Sequence, residues 1–419
     1  MLQMNSWQSA VTSLLVIFAG GLVVGKLTEK PRIPDVAAYL LYGILIGPAL
    51  LHLLSVPSQS QVNQLVLNMG ATLILFDGGR GVQFQVFRKV WVSIVMLAVV
   101  GVLITAFTMG FAAHWLLGLP WVFAILLGSV LASTDPATLI PVFKRVPILP
   151  RLQQTVESES AFNDATGSVL VFTVLLLIPA AGSAAVHVQW YQPLEMFLKS
   201  AVIGLAVGFV MGIASLWLVS RKGWGVFHEY GSIVMLITAL AAMQAANALN
   251  ASGFMAAFTA GMITGNGQAF GLEFAEHTEV NIHHFGSAIT LIMRMLIFVL
   301  LGTQVDFHLL AQHLWMGLLL IVIFILVARP LAVFGSVLVD RRAKWQGNHL
   351  AFMCWVRETG VIPAALSGVL VARGIPNARL ISSITFMAIL LTILIQASTT
   401  GIVAKKLHVL REEVPEEEV

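Results

Sequence analysis

The chain has 419 residues, 58% of them hydrophobic and 10% charged, with 23 Lys and Arg against 20 Asp and Glu. That balance excludes an ordinary soluble domain and reads as an all-α polytopic membrane protein. The basic residues sit in short clusters between apolar runs, so the slight positive charge is a topology signal that gives no reason to expect nucleic acid. The single cysteine, Cys354, excludes a disulfide framework and a cysteine-based metal cluster.

Thirteen apolar runs are long enough to cross a hydrocarbon core of roughly 30 Å. They are residues 7–25, 36–54, 63–79, 90–117, 119–143, 153–181, 194–219, 229–249, 252–265, 285–305, 313–339, 347–371 and 378–404. The first has no basic residue ahead of it and no small-residue cleavage site, so it reads as a membrane helix and not as a signal peptide. The ninth is short and Gly-rich. Residues 1–405 therefore form one membrane domain, and residues 406–419 a short acidic cytoplasmic tail.

Lys and Arg set the orientation. Lys26, Lys30 and Arg32, then Arg80, Arg88 and Lys89, then Lys144, Arg145 and Arg151 fall in every second connection. Arg221 and Lys222, then Arg341, Arg342 and Lys344, then Lys405, Lys406 and Arg411 continue the series, while the opposite side carries only Lys199, Arg373 and Arg379. The N-terminus is expected outside and the C-terminus in the cytoplasm, in the cell (inner) membrane. The connection 266–284 departs from the trend: it has Glu273, Glu276, Glu279, His277, His283 and His284 but no Lys or Arg. It reads as an amphipathic connector at the membrane surface; its imidazoles also titrate near neutrality, as a pH sensor would.

The chain repeats itself. Gly43-x-x-x-Gly47 in the second run answers Gly261-x-x-x-Gly265 in the ninth, and the end of the third run at Gly78 answers the end of the tenth at Gly302. The separation from Gly78 to Asp135 matches that from Gly302 to Glu358 to within one residue. Helices 1–6 and 8–13 thus read as two copies offset by seven, with helix 7 as linker, and an odd offset makes the copies inverted. Inverted repeats with polar interruptions at matching places place a transport site near the midplane. Ser133-Thr134-Asp135-Pro136 interrupts the fifth run and Arg357-Glu358-Thr359-Gly360, followed by Pro363, the twelfth. Proline removes a backbone donor and disfavours helix at the residue before it, so broken helices are expected to cross at the midplane.

The sixth run opens with Glu157, Glu159, Asn163 and Asp164 before turning wholly apolar. Charge at that depth is costly and defaults to a functional reading. On a helix, Ser160 and Asp164 share one face, and Glu159 and Asn163 share the adjacent stripe. A carboxylate with a hydroxyl one turn away is a hard-oxygen arrangement for a small cation. Such a carboxylate holds a proton or a cation, never both, and that competition is a transport mechanism. Glu157 receives no role from this reasoning.

Glu159-x-x-x-Asn163-Asp164, preceded by Thr134-Asp135-Pro136 and followed by Arg357-Glu358-Thr359-Gly360 and Pro363, resembles the monovalent cation/proton antiporter superfamily. Asn163 ahead of Asp164 resembles its electroneutral sodium/proton exchanger (NhaP-like) branch, and the likeness spans about residues 10–405. The resemblance implies that Asp164 binds cation and proton in turn and that Asn163 stabilises the site without carrying a proton, giving one-for-one exchange. It implies that Glu159 orients Asn163 and pairs with a buried arginine, with Arg329 and Arg357 ranked ahead of Arg294. Ser160, the backbone near Thr134, and Asp77 would complete the cation shell, although related exchangers often carry Glu where this chain has Asp77. Asp135 and Glu358 would sit at the two breaks, and helices 4–6 and 11–13 would move against a scaffold of helices 1–3 and 8–10.

The implied cargo is Na⁺, with Li⁺ or K⁺ as alternatives, exchanged for H⁺ with no cofactor; the implied partners are membrane lipid and a second copy in a homodimer. No Gly-rich phosphate loop is present, so ion gradients and not ATP would supply the energy. A K⁺/H⁺ antiporter or K⁺ efflux pathway is the nearest alternative. An intramembrane aspartyl protease built on Asp77 and Asp164 is the alternative among enzymes, but it needs a Gly-x-Gly-Asp setting, and Asp77 precedes its glycines.

Overall fold

The computed structural model describes residues 6–28, 35–134, 143, 146–178 and 191–410, so Asp135 and Pro136 lie outside the described residues. Apart from an isolated bridge between Ile148 and Leu410, the described chain is helices and their connections. The first six helices are α1 Ser6–Thr28, α2 Asp35–Ile46, α3 Gln61–Arg80, α4 Phe84–Met96, α5 Val102–Leu117 and α6 Trp121–Leu131. Then come α7 Pro150–Leu176, α8 Gln192–Val219, α9 Gly231–Ala248, α10 Gly253–Gly265 and α11 Glu276–Thr303. After a short turn of helix, α12 Leu314–Ile323, α13 Arg329–Val337, α14 Gly347–Trp355, α15 Val361–Ala372, α16 Ala378–Thr392 and α17 Ser398–Lys406 complete the order. Wide π turns at Leu97–Gly101, Phe324–Ala328 and Ile393–Ala397 join α4 to α5, α12 to α13 and α16 to α17.

Each of the thirteen apolar runs holds helix. Among the described residues, six helical segments are long and apolar enough to cross a membrane by themselves: Val90–Leu117, Gln192–Val219, His228–Ala248, Glu276–Thr303, Leu314–Val337 and Ala378–Lys406. α3 and α7 are not among them because polar residues interrupt them: α3 carries Gln61, Asn63, Gln64 and Asn68, and α7 carries Arg151, Glu157, Glu159 and Asp164. Two expectations need correction. The second run is helical only to Ile46, since Gly47-Pro48 ends the helix. The connection 266–284 is helical from Glu276, where Glu276 and Glu279 favour the positive end of the α11 dipole, so its histidines ride on the first turns of α11.

Helices in a membrane gain little from hiding apolar surface and associate by close packing, which small residues permit. The short ninth run owes its place to this: α10 is buried along almost its whole length. A β-carbon on Gly261 of α10 would stand 2.0 Å from the Phe76 carbonyl oxygen of α3, and one on Gly79 of α3 would stand 2.2 Å from the Phe258 carbonyl oxygen of α10. α2 and α11 repeat the arrangement, Gly43 meeting the Val299 carbonyl and Gly302 the Leu40 carbonyl, each at 2.3 Å. Gly204, Gly208 and Gly212 seat α8 on α10 in the same way.

The interruption expected in the twelfth run is present. Residues 356–360 are non-helical between α14 and α15. Pro363 falls on the third residue of α15, whose N–H has no intrahelical partner in any helix, so it costs nothing there. Non-helical backbone at membrane depth persists only when its polar groups are met. Thr392 Oγ1 accepts from the Thr359 N–H at 3.1 Å, and Gln396 Nε2 donates to the Trp355 carbonyl at 2.6 Å. Both partners come from α16 and the π turn that follows it.

Candidate functional site

α7 starts with Pro150, whose fixed φ suits the first helical position, and its polar residues divide between two faces. One face is locked into the protein. Arg329 donates from Nη1 and Nη2 to the two carboxylate oxygens of Glu159, at 2.8 and 2.9 Å, and from Nε to the Met353 carbonyl at 2.9 Å. Both residues are only 2% exposed. The π turn Phe324–Ala328 immediately precedes Arg329, as such turns often do at functional positions. The arginine partner left open by the sequence is therefore Arg329.

The amide of Asn163 is fully used. Its Nδ2 donates to Glu159 Oε1 at 3.1 Å and to Thr134 Oγ1 at 2.7 Å, and its Oδ1 accepts from the Thr134 N–H at 3.0 Å. Thr134 Oγ1 also lies 2.8 Å from Ser160 Oγ in a hydroxyl–hydroxyl hydrogen bond. Thr134 stands just past the end of α6, so the N–H it gives to Asn163 belongs to the interruption in the fifth run.

The other face opens on a cavity of about 440 Å³. Gln154, Glu157, Ser158, Ala161 and Asp164 of α7 form one wall; Asp77 and Arg80 of α3, His283, Thr290 and Arg294 of α11, and Val361 and Ile362 of α15 line it elsewhere. Asp164, 5% exposed, lines the cavity, whereas Ser160, Thr134 and Asn163 are buried and are not among its lining residues. Among the described residues there is no cluster of three or more His, Cys, Asp or Glu that would hold a metal ion.

The remaining residues take distinct places. Asp77 lines the same cavity as Asp164 but is engaged on α3 and α11: Arg80 Nη1 donates to its Oδ1 at 3.3 Å and Thr290 Oγ1 to its Oδ2 at 3.1 Å. Arg294 reaches Asp35 at 3.5 Å. Arg357 is fully buried and does not contact Glu159; its Nη1 donates to Thr105 Oγ1 at 3.0 Å and its Nη2 to the Ala132 carbonyl at 2.7 Å. Its guanidinium, 4.8 Å over the Phe324 ring, supplies positive charge where the α6 dipole is negative. Glu358 is fully buried, two residues before the cap of α15 at Gly360. The role of Arg357 at the end of α6 and the place of Glu157 on the cavity wall were not anticipated. Neither has a local sequence signal, since Arg357 and Thr105 are 252 residues apart.

Residues 5–406 match a family model described as sodium/hydrogen exchanger, transmembrane. The chain is 29% identical over 414 residues to a Na(+)/H(+) antiporter 1 from Methanocaldococcus jannaschii, covering 92% of this chain and 93% of that one. It is 27% identical over 406 residues to a K(+)/H(+) antiporter NhaP from Alkalimonas amylolytica, covering 96% of this chain and 68% of that one. The solved structure of the sodium proton antiporter MjNhaP1 from Methanocaldococcus jannaschii at pH 8 superposes with a TM-score of 0.83 at 29% identity, over 95% of this chain and 98% of that one.

Proposed function

The chain belongs to the sodium/hydrogen exchanger family, membrane antiporters that trade a monovalent cation for a proton, and we propose that Asp164 is the group both ions occupy in turn. The observation that carries this reading is the division of α7: Asp164 meets the cavity, while Asn163 beside it is held from behind by Glu159 and Thr134. A cation arriving through the cavity exchanges water for the Asp164 carboxylate and the Ser160 and Thr134 oxygens, with Asp77 on the opposite wall. A proton on Asp164 removes the charge that holds the cation, so binding one requires release of the other. Asn163 carries no proton, and one cation then exchanges for one proton.

The mouth residues Arg80 and Glu157 lie beside the basic clusters assigned to the cytoplasm, which supports a cavity open to that side in a cell-membrane protein with its N-terminus outside. The reciprocal glycine contacts support thirteen crossings arranged as inverted repeats. If the second and third runs correspond to the ninth and tenth, the α2–α11 contact maps onto the α10–α3 contact, as a pseudo-two-fold axis requires. The π turns at Leu97–Gly101 and Phe324–Ala328 likewise fall in the corresponding fourth and eleventh runs. Alternating access then moves the core, which carries Asp164, Arg329 and the break at 356–360, against the scaffold of α1–α3 and α9–α11. A homodimer is part of the same reading.

Asp164→Asn tests the proposal. Reconstituted in proteoliposomes, the variant should keep its thermal transition in detergent and lose coupled cation/proton exchange; coupled exchange at the parental rate would overturn the assignment. A K⁺/H⁺ exchanger is the second reading, favoured by the name of the Alkalimonas relative. Adding Na⁺, Li⁺ and K⁺ in turn, with and without a membrane potential, separates the two and reads the stoichiometry.

A further inference from the structure

Glu157 has no part in the exchange chemistry above, yet it stands on the same wall as Asp164. The cavity-lining positions of α7 run Gln154, Glu157, Ser158, Ala161 and Asp164, a single stripe along the helix. Seven residues separate Glu157 from Asp164, about 10 Å along the helix axis. Glu157 is half-buried where Asp164 is buried, which puts it two turns nearer the mouth.

The charges around it are not balanced alike. Of the two arginines in the cavity wall, Arg80 is engaged by Asp77 at 3.3 Å and Arg294 by Asp35 at 3.5 Å. The hydrogen bond of Glu157 is to a neutral amide, Gln153 Nε2 at 2.9 Å, one turn away on its own helix. That bond orients the carboxylate without cancelling its charge. His283, on the α11 wall, is the one imidazole among the residues that line the cavity. A charge of one sign inside a low-dielectric cleft focuses its field along the cleft and raises the local concentration of the opposite ion.

We propose that Glu157 is an entry carboxylate, a positioning residue that gathers the monovalent cation at the cavity mouth for Asp164. The inference rests on Asp164 being the exchange group. Because its hydrogen bond is local to α7, neutralising Glu157 breaks no hydrogen bond or ion pair between helices.

The test is the KM for Na⁺, or for whichever cation is transported, in proteoliposomes at pH 8, at low ionic strength and again with choline chloride added. Glu157→Gln should raise KM roughly threefold to tenfold at low ionic strength and leave kcat within about twofold. The difference should close in high salt, where exposed charges are screened within a few ångströms. Glu157→Asp should retain the parental KM. Gln154→Glu placed in the Glu157→Gln protein should restore it, because position 154 also lines the cavity. An unchanged KM at low ionic strength, a rise that persists in high salt, or a fall in kcat shared by Glu157→Asp would each overturn the proposal. Should Glu157→Gln not fold, the KM of Gln154→Glu alone decides: a lower value at low ionic strength supports the entry field, and no change rejects it. Asp164→Asn run in parallel separates the two claims, since continued exchange there would fell the Asp164 assignment whatever Glu157 does.

Discussion

Glu159 and Arg329 meet as a two-pronged pair across 170 residues of sequence, both carboxylate oxygens engaged and both side chains sealed from solvent. The pair joins α7 to α13, and its geometry matches the guanidinium fork to the carboxylate.

Removing one partner of such a pair leaves the other charged and buried. Glu159→Ala should therefore cost on the order of 3–5 kcal/mol, chiefly from the stranded guanidinium. Thermal unfolding in detergent should show a clear drop in Tm. A variant with parental Tm and no transport would instead make Glu159 a direct participant in exchange.

Asn163→Asp converts a donor into an acceptor at a position where Glu159 Oε1 is 3.1 Å away. Two carboxylates facing one another cannot both stay charged at little cost, so the variant gains a second titratable group. Exchange should become sensitive to an imposed membrane potential. Parental, voltage-independent exchange would show that Asn163 does not set the stoichiometry.

Arg357→Ala should destabilise the protein by roughly 2–4 kcal/mol, because the carbonyl of Ala132 and the hydroxyl of Thr105 lose a charged donor. Arg357→Lys keeps the charge but lacks the fork that spans both acceptors, so it should recover only part of the loss. Full recovery of Tm by lysine would assign the residue a purely electrostatic role.

Two adjacent glycines of α3 give a paired control. A β-carbon at Gly79 would stand 2.2 Å from the Phe258 carbonyl oxygen, whereas at Gly78 it would meet nothing within 4 Å. Gly79→Ala should lower stability by about 1–3 kcal/mol through overpacking of α3 against α10. Gly78→Ala should be neutral or gain up to about 1 kcal/mol from helix propensity. Equal effects on Tm would refute the close approach of the two helices.

Hydropathy and charge made the helical runs and the polar start of α7 legible, because span length and the cost of burying charge are local properties of a sequence. The break before Pro363 was legible for the same reason: proline acts on its immediate neighbours. Which arginine meets Glu159 was not, since Arg294, Arg329 and Arg357 all sit inside apolar runs and only packing brings one of them to α7. The place of Glu157 was also hidden. Its stripe becomes meaningful only when α3 and α11 close the opposite wall. Ser160 and Asp164 do lie one turn apart, yet the hydroxyl is engaged with Thr134 from the stretch after α6, a contact that helical periodicity cannot supply.

The unwound stretch 356–360 depends on groups that the ribosome adds later. Thr392 and Gln396, which satisfy backbone atoms of Thr359 and Trp355, belong to the last helical run of the chain. While the twelfth run is emerging, those backbone atoms have only water or the insertion machinery to bond. These two bonds can form only once the thirteenth run has been made, so the break in the twelfth is completed by residues synthesised after it. Truncation ahead of Thr392 would thus spoil a break more than thirty residues upstream.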